Sequence, residues 1–220
     1  GGGQPLQPVN HMRRFQDALR EVGLDYQSVD APDEQRLIVM RRQPSPLQIE
    51  VATIGPNIGQ LLIGAANPVT TFDLFAQEAD AAISAFRLVW NSQDRVLVQV
   101  AAVIRELYET TSEHAFQELW EQRLGQPGQA LAAFERPIRG GGLRFVLDPQ
   151  PPDESATVEV RIESYLADTR KIFVETQFVW PAPSEMASHF EARTYLSQVI
   201  AYRSRVQKFM SQGGTSNVTR

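Results

Sequence analysis

Cysteine is absent from the 220 residues. Its absence excludes disulfides, thiolate metal centres and cysteine nucleophiles, and it leaves the redox compartment open. Lysine is scarce too: Lys171 and Lys208 are the only two, so arginine supplies nearly all the positive charge. This bias reads as the coding preference of a GC-rich, bacterial-type genome rather than selection for phosphate contacts. The three histidines come with no GxSxG, HExxH or ExxH pattern, so neither a serine-hydrolase triad nor a histidine metal centre has a signature. No apolar run nears the roughly 20 residues that cross a bilayer, and no membrane partner is expected. A net charge of −5 and a pI near 5.3 argue against the large basic surface of a nucleic-acid binder, so nucleic acid is not an expected partner. The opening GGGQPLQPVNHM has no basic stretch followed by an apolar core, so no secretory signal is read and the expected location is cytoplasmic. Its glycine triplet ahead of His11-Met12 resembles a tag remnant, and residues 1–11 are read as an irregular leader.

What is present is a hydrophobic fraction of 42%, enough for one large core or two small ones. Met12, Phe15, Leu19 and Val22 recur at helical spacing, and Gly23 is a natural stop. Strand-like runs follow at 36–41, 47–52 and 60–66, with Gly55-Pro56-Asn57 as turn chemistry. Phe72, Phe75, Ala79, Ile83, Phe86 and Trp90 step by three or four along a helix from Thr71 to Trp90, capped by Thr70 or Thr71. Residues 95–103 read as a strand, with VIRELYE as its continuation or a helical turn. Ser112 is expected to cap a helix through Leu124, closed by Gly125. Leu143, Phe145 and Leu147 alternate. So do Val158, Val160 and Ile162, and then Ile172, Val174, Thr176, Phe178 and Trp180, with a turn at 167–170 between these last two runs. Ser184 is expected to cap a long amphipathic helix bearing Met186, Phe190, Leu196, Val199, Tyr202, Val206 and Phe209.

Short turns between strands imply antiparallel hairpins, and helices grouped apart from them give an α+β fold. Two similar halves are expected, 12–110 and 111–210. Each has a helix, a three-stranded antiparallel sheet and a longer helix. An extra strand joins them, one extended sheet and two adjacent lobes both stay open, and residues 211–220 are expected as a flexible tail.

The most distinctive stretch is PIRGGGLRF, from Pro137 to Phe145. A phosphate loop requires a helix with lysine and a hydroxyl after the glycines, and a dinucleotide fingerprint also requires a helix there. Here a strand follows. Two readings stay open: a backbone nest for an anion, formed by Gly140, Gly141 and Gly142 with Arg139, Arg144 and Arg161 beside it, or a tight corner that needs glycine for close approach. The carboxylates Glu106, Glu109, Glu113, Glu118 and Glu121 read as the outer faces of amphipathic elements, with no metal and no cofactor expected.

The expected function is a non-catalytic binding or assembly module. It would form a homo-oligomer or recruit a protein partner through its sheet edges and C-terminal helix. The alternative is a small-ligand protein or enzyme, with an apolar pocket between sheet and aromatic helices and an arginine-lined site for a small anion. Small acidic secretion chaperones share this order of helix, hairpins and helices, a likeness of fold order that no motif here carries.

Overall fold

The computed structural model describes residues 5–66, 71–91, 93, 95–150, 155–181 and 186–212. The chain is α+β, with two separate four-stranded antiparallel sheets. It divides into two compact units, one of residues 1–97 with 184–197 and the other of 98–183 with 198–220.

In the first unit, α1 (Met12–Glu21) buries Phe15, Ala18 and Leu19. Gly23 stops it as expected, with φ at 77° and the Leu24 N–H closing back on the Leu19 carbonyl at 2.9 Å, the left-handed cap that glycine favours. Four strands follow in meander order: β1 (Ser28–Asp33), β2 (Arg36–Arg41), β3 (Leu47–Gly55) and β4 (Ile58–Gly64). Leu37 and Val39 share a face with Leu47, Ile49 and Val51, and all five are buried. Then comes α2 (Phe72–Val89), where Thr71 Oγ1 accepts the Leu74 N–H at 3.4 Å as the N-cap. Its buried line is mostly alanine, Ala76, Ala79, Ala82 and Ala85, and small side chains let helices approach closely. Phe75 and Phe86 pack at the margin of the core that holds Trp90. Leu6 joins that core, and its carbonyl accepts the Trp90 indole N–H at 2.6 Å.

In the second unit, β5 (Gln99–Glu109) is followed by a single α turn, α3 (Ala115–Gln117), and a π turn over Glu118–Arg123. After these come β6 (Gly142–Leu147), β7 (Thr157–Ser164) and β8 (Lys171–Pro181). The strand order is β5-β8-β7-β6, all antiparallel. Val158, Val160 and Ile162 line one face with Ile172, Val174, Phe178 and Trp180, all buried. The last described element is α4 (Ala192–Gln212), whose residues from Gln198 onward belong to this unit and cover this face. Tyr202 meets Phe178 edge-on at 5.5 Å, and Gln198 accepts the Trp180 indole N–H at 3.3 Å.

Four expectations are corrected. The first sheet has four strands, because β1 pairs with β2 although its sequence SVDAPD shows no apolar alternation. The extra strand between the halves is the fourth strand of the second sheet and pairs with β8 along its whole length without a register break. The helix expected over 112–124 is one α turn plus the π turn, with the side chain of His114, not Ser112, accepting the Phe116 N–H. The C-terminal helix starts at Ala192. Met186 instead bridges to Val96, and Asp80 of α2 accepts the Ala192 N–H at 2.7 Å, capping the helix from outside its own segment. Ser184 lies outside the described residues.

With these corrections the two sheets share one plan. In each, a three-strand meander carries a fourth strand antiparallel to its last member. In the first unit that strand follows the meander in the chain. In the second it precedes it.

Candidate functional site: the outer face and open edge of the second sheet

The three glycines form a corner that leads into β6, and none of them has a positive φ. Their requirement is space. A Cβ on Gly142 would run into the Ile162 carbonyl oxygen and come within 2.7 Å of the Glu163 Cα. One on Gly141 would lie 2.7 Å from the Phe116 ring, and one on Gly140 would meet the Ser164 hydroxyl and Leu166. The Gly141 N–H donates to Ser164 Oγ at 3.0 Å, and the Ser164 N–H donates to the Gly141 carbonyl, also at 3.0 Å. The buried serine thus fastens the corner to the end of β7, so this stretch is a tightly packed sheet corner.

The sheet register decides where the arginines go. Arg144 and Arg161 stand directly opposite each other on β6 and β7, and the same row continues through Glu175 on β8 to Arg105 on β5. Directly opposed like charges destabilise a sheet, and interleaved carboxylates offset the repulsion. Arg144 pairs with Glu159 at 2.6 Å, Arg105 with Glu175 at 2.6 Å and Arg161 with Glu175 at 3.2 Å, while Glu163 lies 3.9 Å from Arg161. The hydrogen bond from Arg144 holds the exposed Glu159 carboxyl below its ordinary range, and the same bond raises Arg144. Three arginines and three glutamates therefore tile the outer face as a lattice without net charge. Of the residues singled out from sequence, Gly140, Gly141 and Gly142 form the corner and Arg144 and Arg161 join the lattice. Arg139 is exposed on the segment before β6. Arg105 and Glu175 were not singled out, because only the strand register brings them into this row.

The edge of this sheet is its other distinctive surface. β5 runs for 11 residues without glycine, proline or bulge. None of its residues is buried, and Val103 and Leu107 are 42% and 51% exposed. The other three edges carry protection of the usual kinds. β1 has Asp30, Pro32 and Asp33 and a register break. β4 starts at a register break with β3, and β6 is only six residues long. No family model, curated protein or solved structure matches the chain.

On the covered face, Glu106 of β5 pairs with Arg203 of α4 at 2.6 Å, and this hydrogen bond raises Arg203. Burial, then the charge of Glu106, raises the neighbouring Tyr108 hydroxyl. Glu118, expected on an outer face, is instead buried. It accepts from the Thr110 hydroxyl at 2.6 Å, the Thr111 N–H at 2.7 Å and Arg123 at 2.9 Å. Arg123 also donates to the Met210 carbonyl at 2.9 Å, near the end of α4 where helix carbonyls lack intrahelical partners. Burial pushes the Glu118 carboxyl up, but the bonds from Thr110, Thr111 and Arg123 outweigh it and hold the group below its ordinary value. In the first unit, a recess of about 480 Å³ lies on the outer sheet face beside Asp33, Arg36, Glu50 and Gln60. Phe75, Phe86 and Trp90 of the aromatic stripe pack in or against the core of the first unit.

Proposed function

We propose that the chain is a non-catalytic assembly module that accepts an additional β-strand along the open edge of β5. The observation that supports this reading is the contrast between edges: among the described residues β5 is the longest edge strand and is unbroken in register, while β1 and β4 carry register breaks and β6 is short. An exposed edge presents unpaired N–H and C=O groups as a template, and main-chain hydrogen bonds to an incoming strand supply affinity while alternate side chains supply selectivity. Val103 and Leu107 offer the apolar contacts for that selection, with Arg105 between them on the same face.

The test is a fluorescein-labelled peptide of residues 99–109, titrated with the intact chain and followed by anisotropy. Saturable binding that is lost on replacing Val103 and Leu107 together by lysine supports the reading. Absence of binding by a chain that is monomeric in light scattering overturns it.

A further inference from the structure

The strand that β5 accepts has a definable identity. Resting on the strand-addition reading above, we propose that it is β5 of a second copy of this chain. The two would run antiparallel about a two-fold axis at Ile104, joining two four-stranded sheets into one of eight strands.

The register follows from elimination. Pairing must match outer-face residues with outer-face residues, because the other face of each sheet lies beneath α4 and α3 and carries the apolar layer. A one-residue slip would turn that layer to solvent, so only shifts of two residues are open. Among these, centring on Arg105 would oppose Arg105 to itself, and centring on Glu106 would oppose Glu106 to itself. Like charges directly opposite destabilise a sheet. Centring on Ile104 is the one arrangement that overlaps all 11 residues of the strand. It places Ile104 against Ile104, Ala101 against Leu107, Val100 against Tyr108 and Gln99 against Glu109. Arg105 faces Val103 twice, once on each side of the axis. No like charges oppose each other, and Leu107 gains an apolar neighbour. The ladder is at the small end of interfaces, so the dimer is expected to dissociate in the micromolar range.

The missing cysteines make the test direct, since any introduced cysteine is unique in the chain. Light scattering of the intact chain should show a species of twice 24.7 kDa at high concentration. Val103→Lys puts lysine opposite Arg105 twice and should weaken the dimer about fivefold, while Val103→Glu should tighten it by a similar factor. Val103 is surface-exposed, so both variants should fold, which circular dichroism verifies. A nitroxide on Leu107→Cys reads the register. The two labels would sit six residues apart along the ladder, roughly 20 Å by strand rise, against roughly 14 or 27 Å for the neighbouring registers. A dimer indifferent to the sign of the charge at Val103, or one with the wrong spacing, overturns the proposal. So does a monomer at all concentrations. A monomer that still binds the residue 99–109 peptide leaves strand addition standing and removes only the second copy. A monomer that ignores the peptide removes both.

Discussion

Replacing Glu118 by alanine should be among the most damaging single changes to the second unit. The substitution strips the acceptor from Arg123, whose side chain is 7% exposed, and leaves that charge buried without its carboxylate. It also strips the acceptor from the Thr110 hydroxyl and the Thr111 N–H. Breaking a buried pair by removing one partner costs about 3–5 kcal/mol, mostly because the remaining charge is uncompensated. Glu118→Gln keeps the shape and loses the charge, so it should cost about 1.5–3 kcal/mol. Adding Arg123→Met to the alanine variant removes the stranded charge, and the double variant should lose less than the sum of the singles by at least about 1 kcal/mol. Hydrogen exchange of the β7 and β8 amides, read by mass spectrometry, reports the stability of this sheet directly. Acid supplies a second check. The Glu118 carboxyl is held below its ordinary value when folded, so its contribution is complete above the unfolded carboxylate range and is lost as pH falls through the folded value. The stability gap between the parent chain and Glu118→Gln should stay constant from neutrality to about pH 5.5 and narrow in more acid solution. An alanine variant that loses less than about 1 kcal/mol, additive singles, or a gap that widens in acid would each refute this account.

Two further outcomes follow from the geometry. Gly142→Ala should cost about 1–3 kcal/mol by overpacking, because the clash is with the Ile162 carbonyl and the Glu163 Cα, which cannot turn aside; Gly141→Ala meets only the edge of the Phe116 ring and should cost less. Urea melts of the two variants side by side would expose the error if their order were reversed. Asp80→Ala removes the acceptor of the Ala192 N–H and should cost about 1 kcal/mol, seen as faster exchange of the first amides of α4. Unchanged exchange there would mean that Asp80 is not the effective cap.

The parts legible in the sequence are those in which a local pattern and its tertiary setting agree. Leu47, Ile49 and Val51 alternate because one face of β3 is buried, and Thr71 announces α2 because its hydroxyl caps that helix locally. What escaped was decided by groups distant in the chain. SVDAPD becomes a strand only because β2 stands beside it. The residues from Met186 to Phe190 carry a helical spacing but are held off the helix, with Arg87 of α2 donating to the Ala187 and Phe190 carbonyls. Glu118 reads as a surface carboxylate until Arg123 and the two threonines enclose it. At PIRGGGLRF the glycines were visible as a point of close approach, and the group they approach, the Ile162 carbonyl, was not. The row of Arg105, Glu175, Arg161 and Arg144 depends on the register of four strands, and of their three pairings only that of β7 with β8 is announced in the sequence, by the turn at 167–170.

The place of β5 in the chain has a consequence for how the protein is made. The first sheet is built from neighbours in sequence, so each hairpin can close soon after its second strand is synthesised. β5 leaves the ribosome before α3, β6, β7 and β8, and its partner residues in β8 come roughly 60–80 positions later, a separation that slows closure of the sheet. During that interval Val103, Ile104 and Leu107 have neither a partner strand nor α4 beside them. The second unit therefore ripens late and as a whole, and the strand with the most open edge in the finished protein is also the one that waits longest for its first neighbour.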